Sequence, residues 1–261
     1  PKNFYEELTM NKSFLKLKSE AQKFFKYLIS SETTEKSIIL NQNNLNALLT
    51  SLESPYFIDV LKLFDKIIIE IKYPSSNFQR IFNSLTNIKN SNLEKIQVNL
   101  TISTREINFI LGNNKTLNTA KIGPVVKIIG DSAFKGCQLL KEIDFPPSVT
   151  KISELAFSGC EMLEEVIIPP SIAFIGTAAF KCCTSLKQIT INPLKAFVET
   201  SAFQECKNLN SMILCSEDTN IYPFNNESFQ SITKISIPIS ITKIKENSFK
   251  QYNSVKEISI P

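Results

Sequence analysis

The chain reads as an α/β solenoid, and three observations carry that reading. A phenylalanine returns every 23 residues at Phe134, Phe157, Phe180 and Phe203, misses one beat at Asn226, and returns at Phe249. A cysteine keeps the same step at Cys137, Cys160, Cys183 and Cys206, and an aliphatic residue keeps it at Leu140, Leu163, Leu186, Leu209, Ile232 and Val255. Each unit closes on a strand-like pair, from Ile143/Phe145 through Val166/Ile168, Ile189/Ile191, Met212/Leu214 and Ile235/Ile237 to Ile258/Ile260. A fixed period of this size marks units that cannot bury an apolar face alone and stack into a continuous core.

The elements follow in order. Residues 4–29 read as a helix, with Phe4, Leu8, Leu15, Phe24, Phe25 and Leu28 near helical spacing, acids early and lysines later. The helix is expected to cap the solenoid, with Lys12, Lys16, Lys18, Lys23 and Lys26 on a solvated face; the alternative is a membrane-surface helix. A polar linker closes this N-terminal cap of residues 1–36.

The stretch 37–45 then fits the phrase L-x-L-x-x-N-x-L through Ile38, Leu40, Asn43 and Leu45. Its inward pair Ile38/Leu40 recurs as Ile67/Ile69 and Ile96/Val98, each 29 residues on, and is expected to continue 24 residues later at Ala120/Ile122. Residues 37–119 thus form longer units with room for outer helices at 44–52 and 77–86. Residues 120–261 form shorter units with room only for a short helical turn around 134–140. Ten strand units are expected to share one register.

Within a short unit, alternation sends Ile143 and Phe145 inward and Glu142 and Asp144 outward. Ile129, Ile152, Ile175, Val198, Ile221 and Ile244 make a second inward column on the return path, and the phenylalanines make an aromatic spine. Prolines after the strands cannot donate to a ladder and end the pairing there.

Composition closes off much chemistry. The chain has 43% apolar and 21% charged residues, a net charge of +4 and no histidine. Without histidine, Ser-His and Cys-His nucleophile pairs and His-ligated zinc are absent from the chain. No dense basic stripe with interleaved aromatics suggests nucleic acid. No apolar run is long enough to span a membrane, and no signal-type segment follows Pro1. The termini read as cuts in a longer protein.

The cysteine column lacks the close pairs of a zinc site and passes to Phe229 and Tyr252 in the last units, so it reads as buried reduced thiol. Cys182 and Cys215 lie outside the column. Carboxylate pairs such as Glu142/Asp144 and Glu164/Glu165 stand on an open sheet without the cleft that acid-base catalysis needs, and no glycine-rich phosphate loop occurs. The sequence therefore predicts no catalytic residues, no cofactor and no metal.

What remains is the outward strand face. Its columns hold Glu142, Glu165, Gln188 and Ser211 beside Asp144, Ile167, Thr190 and Ile213. Ile167 and Ile213 among polar neighbours have the character of a contact site, although scattered surface apolars are also ordinary.

The phrase from Ile129-Gly130-Asp131-Ser132-Ala133-Phe134 through Ile143-Asp144-Phe145-Pro146-Pro147 to Ile152 resembles the BspA-like leucine-rich repeat, a family expanded in some oral bacteria and in anaerobic protists. The resemblance covers about 120–261. It implies a right-handed solenoid with a parallel sheet on the concave face, no catalysis, and a surface or adhesive role with a host or matrix protein as partner. The departures are Asn226 in the spine, Phe229 and Tyr252 in the cysteine column, and Ser216 and Ile239 after strands. The unpaired cysteines point instead to an intracellular scaffold, one subunit of a large assembly such as a cytoskeletal one.

Overall fold

The computed structural model describes residues 8–16, 111–114, 117–191, 196–214, 229–250 and 252–260, the backbones of five further strand segments, and a few single positions before residue 64. The expected helices at 44–52 and 77–86, Asn43, Cys215 and Asn226 lie outside these residues.

Parallel strands in chain order make the main ladder: β1 (Ser37–Asn41), β2 (Lys66–Glu70), β3 (Ile96–Leu100), β5 (Leu117–Ile122) and β7 (Glu142–Asp144) form one sheet. A second comprises β9 (Glu165–Ile167), β11 (Gln188–Ile191), β13 (Ser211–Leu214), β15 (Lys234–Ser236) and β17 (Glu257–Ser259). β7 lies against β9, so the two sheets continue one column. The fold is a parallel-sheet β-solenoid.

The register confirms the period. Ile38 pairs with Ile67 and Leu40 with Ile69, and Ile67 and Ile69 pair with Ile96 and Val98. Downstream, Gln188, Ile189 and Thr190 sit between Glu165, Val166, Ile167 and Ser211, Met212, Ile213. One step differs from the expectation. Ala120 and Ile122 pair with Val98 and Leu100, not with Ile96 and Val98. A bulge opens this pairing: Ile96 pairs with Leu117, Gln97 with Thr119, and Asn118 is the extra residue. A slip of two residues keeps every side chain on its face, so the inward set survives.

The return path is a ladder in its own right. β4 (Glu106–Ile107), β6 (Ile128–Ile129), β8 (Lys151–Ile152), β10 (Phe174–Ile175) and β12 (Phe197–Val198) pair in parallel, as do β14 (Asn220–Ile221) and β16 (Lys243–Ile244). Ile107, Ile129, Ile152, Ile175 and Val198 are buried. Between the ladders a column of small residues, Ala133, Ala156, Ala179 and Ala202, is fully buried, and the carbonyls of the last three receive the N–H groups of Phe134, Phe157 and Phe180 from the preceding turn.

The expected short helical turn around 134–140 is replaced by a chain of tight turns. Lys135 N–H donates to Ser132 O, Cys137 N–H to Phe134 O and Leu140 N–H to Cys137 O. Helix does not form because two positions per unit take left-handed backbone angles: Ser132 and Gly136 in one unit, Leu155 and Gly159 in the next. Helix content among the described residues is low. In the N-terminal region α1 (Lys12–Leu15) starts at Asn11, whose side chain accepts from the N–H groups of Ser13 and Phe14.

The spine forms as expected from Phe134 to Phe203, whereas Phe249 is half-buried and meets Tyr252 edge-on at 6.1 Å. Phe134, Phe157, Phe180 and Phe203 stack with centroid spacings of 4.9, 5.1 and 5.0 Å and interplanar angles of 10° or less. At the missed beat Phe229, from the cysteine column, meets Phe203 at 5.2 Å with a 39° tilt. The cysteine slot thus lends an aromatic ring where the spine position holds Asn226.

Candidate protein-interaction face

The face is built by alternation along β7, β9, β11 and β13. Val166, Ile189 and Met212 point into the core and are fully buried, which forces their neighbours outward. Glu142, Asp144, Glu165 and Ile167 are exposed, while Gln188, Thr190, Ser211 and Ile213 are half-buried. All eight predicted residues therefore lie on one side of the ladder, in two adjacent columns fixed by the strand register. Ile167 is 59% exposed and sits beside Thr190. Ile213 is less accessible than its sequence context suggested, being flanked in register by Thr190 and Ser236.

Polar neighbours are tied along the axis. Gln188 Nε2 donates to Glu165 Oε1 at 2.7 Å, and Lys187 Nζ meets Glu164 Oε2 at 3.0 Å. Lys234 Nζ meets Glu257 Oε2 at the same distance across β15 and β17. These exposed pairs contribute little stability, on the order of 0–1 kcal/mol each, but they hold long side chains in line. No group of three or more His, Cys, Asp or Glu able to hold a metal occurs among the described residues.

The thiol column has a role that the sequence reading missed. Cys137 Sγ donates to Leu111 O at 3.0 Å, Cys160 Sγ to Phe134 O at 3.3 Å, Cys183 Sγ to Phe157 O at 3.4 Å and Cys206 Sγ to Phe180 O at 3.0 Å. Each thiol therefore fastens its turn to the spine residue of the turn before. The spacing of 26 residues is one repeat plus three, and was available in the sequence. Burial pushes the Cys137 thiol up to about 12 and raises Cys160 and Cys183 well above the ordinary value of 9.0.

A second exposed surface was also missed. On the outer side of the return ladder Phe174 stacks on Phe197 at 5.9 Å, Lys151 Nζ lies 5.4 Å over the Phe174 ring, and Phe197 is 62% exposed. Its signal was the recurrence of Phe174 and Phe197 one repeat apart, next to the inward Ile175 and Val198.

These turns match a known repeat. The model for the BspA-type leucine-rich repeat region matches residues 105–231 and 196–261, with six copies. The chain belongs to the BspA-type leucine-rich repeat family. The match begins ahead of residue 120 because Leu111, Asn114 and Leu117 already fill the spine, cysteine and aliphatic slots one unit before Phe134, Cys137 and Leu140. Proteins of the BspA type are in general non-enzymatic, interaction or adhesin-like modules.

Solved structures give looser likenesses. A leucine-rich repeat protein from Bacteroides ovatus is 20% identical with a TM-score of 0.44, covering 77% of this chain and 68% of that one. The T. pallidum leucine-rich repeat protein is 20% identical with a TM-score of 0.45, covering 75% of each. The pneumococcal vaccine antigen PcpA is 18% identical with a TM-score of 0.49, covering 63% of this chain and 41% of its own. No curated protein matches the chain. Among the described residues no helix is long and apolar enough to cross a membrane.

Proposed function

We propose that this chain is a non-catalytic protein–protein interaction module that binds partner proteins on the outward face of its main ladder, as a surface adhesin recognising a host or matrix protein. The observation that supports the reading is Ile167, a large apolar side chain standing 59% exposed among Glu142, Asp144, Glu165, Gln188, Thr190 and Ser211, with Ile213 half-buried two strands on. An apolar centre with a polar rim is the anatomy of a contact site. Strand pairing fixes these side chains before any partner arrives, so little ordering entropy opposes binding. The same proposal includes a right-handed course with this face concave, a cap formed by residues 1–36, longer repeats at 37–119 and BspA-type repeats at 120–261.

The face is tested by Ile167→Asp combined with Glu165→Lys. Capture of partners from host or matrix extracts is expected to fall at least about tenfold with the denaturation midpoint unchanged. Undiminished capture moves the site off this face.

The free, buried thiols Cys137, Cys160, Cys183 and Cys206 favour a second reading, an intracellular scaffold within a large assembly. Immunofluorescence of the native protein separates the two. Signal on intact cells supports the adhesin, and signal only after permeabilisation supports the scaffold.

A further inference from the structure

Among the described residues the main ladder is open at one step. β7 ends one sheet and β9 begins the next, and no backbone pairing joins them. Elsewhere the turns are tied just before and just after the strands. Lys141 N–H donates to Asn118 O at 2.8 Å and Lys187 N–H to Glu164 O at 2.9 Å, while Ile168 N–H donates to Thr190 O at 2.8 Å and Ile237 N–H to Ser259 O at 2.9 Å. The counterparts at the open step run from Glu164 N–H to Lys141 O and from Phe145 N–H to Ile167 O, and neither bond forms. Around the rest of their circuit the same two turns are joined. Ile128 and Ile129 pair with Lys151 and Ile152, Phe134 N–H reaches Ala156 O at 2.7 Å, Met162 N–H reaches Gln138 O at 3.0 Å, and Phe134 stacks on Phe157 at 4.9 Å.

The seam coincides with a charge conflict. Glu142 and Glu165 hold the same outward slot on the two facing strands, one repeat apart. At the other steps of this column Thr119 meets Glu142, Glu165 meets Gln188, Gln188 meets Ser211, Ser211 meets Lys234 and Lys234 meets Glu257. None of these sets like charges together. Asp144 adds a third carboxylate, and neither it nor Glu142 enters an ion pair among the described residues, although Lys121 is the register neighbour of Asp144. Like charges directly opposite destabilise strand pairing by an amount comparable with the net worth of an exposed backbone bond that water can replace. Repulsion and pairing are therefore closely balanced at this step.

We propose that the seam is a hinge: the return ladder holds the two turns together, repulsion between Glu142 and Glu165 keeps β7 off β9, and relief of that repulsion zips the two sheets into one. Each half of the outward face is held by its own strand pairing, Glu142 and Asp144 on one side and Glu165 through Ile213 on the other. The hinge sets the spacing between these halves, and it requires no partner to dock on either.

Amide exchange of the folded full chain, followed residue by residue by NMR, is the test. In wild type at low salt the Phe145 and Glu164 amides are expected to exchange at least about tenfold faster than those of Ile168 and Lys187, which hold the same slots one turn on. In Glu142→Gln both are expected to slow at least about fivefold, with Ile168 and Lys187 unchanged. Glu142→Lys is expected to slow them further, because its ammonium faces Glu165 as Lys234 faces Glu257 at 3.0 Å. Glu154, exposed on the turn of Glu165 but away from the main ladder, supplies the control, and Glu154→Gln leaves both rates as in wild type. Raising NaCl to about 1 M, where charges are screened beyond about 3 Å, slows both amides in wild type without any substitution. Phe145 and Glu164 amides as protected in wild type as their counterparts, rates indifferent to both Glu142 variants and to salt, or equal slowing in Glu154→Gln overturns the hinge.

Discussion

Phe157 sits between two rings at 4.9 and 5.1 Å and takes the edge of Phe145 at 5.6 Å, with no solvent contact. Removing it as Phe157→Ala leaves a void that the rigid turns on either side cannot close, and is expected to lower stability by about 3–5 kcal/mol. A chemical denaturation midpoint equal to wild type sinks the spine assignment. The thiols predict a pH effect of defined sign. For a group whose pKa is raised on folding, the stability is fully present below the unfolded value and is lost as pH rises. For Cys137 the loss runs from about 9 to about 12, because only the unfolded chain releases its proton there. Each such thiol subtracts about 1.4 kcal/mol per pH unit in that window. Cys137→Ala is expected to flatten the fall of the urea midpoint between about pH 9 and about pH 11 relative to wild type. Equal slopes place the thiol in contact with water. The direction of both effects was legible from the sequence, since a column that accepts Cys or Phe must be apolar. The S–H···O bonds were not, because they depend on which carbonyl the turn geometry presents.

The tight turns make their own demand on the chain. Gly136 and Gly159 hold φ values of 73° and 76°, and the same slot holds Cys182 at 60° and Glu205 at 63° in the next two units. A side chain in that region costs about 1–2 kcal/mol, partly offset by the greater freedom glycine gives the unfolded chain. Glu205 adds only an exposed, 3.9 Å contact to Lys207. Glu205→Gly is therefore expected to raise stability by about 0.5 kcal/mol, and Gly159→Ala to lower it by about 1 kcal/mol. A Cβ at Gly159 meets nothing nearer than Gly136 Cα at 3.6 Å, so that loss reports backbone conformation and not crowding. Opposite signs for both variants contradict this account. The period of the strands and the identity of most inward residues were readable because alternation is a two-state pattern with many repeats; Ile244, Ile258 and Ile260, read as inward, are exposed. The helical turn expected at 134–140 failed because left-handed residues interrupt it, and in this chain Ser132 and Leu155, which no propensity rule selects, hold one of those two slots. The slip at Ala120 escaped for a similar reason. Pairing two residues away from the expected register keeps Ala120 and Ile122 on the inward face, so spacing alone cannot see it.

Stacked turns meet only their neighbours, so stability accumulates as a sum of near-identical contacts along one axis. The predicted face follows from that regularity: once Val166, Ile189 and Met212 were assigned inward, Glu165, Ile167, Gln188, Thr190, Ser211 and Ile213 had no other place to go. What the face binds was not legible, because alternation says where a side chain points and nothing about what meets it. The stacked pair of half-buried Phe174 and exposed Phe197 shows the same limit, since the period announced it and only the second ladder gave it a surface. The one-dimensional stacking also has a mechanical consequence. Both ladders hydrogen-bond along the solenoid axis, so a pull on its two ends loads those bonds head-on and peels one turn at a time. Each BspA-type turn then releases about 70–80 Å of chain, and single-molecule stretching is expected to record a ladder of equal, low-force steps in place of one abrupt rupture.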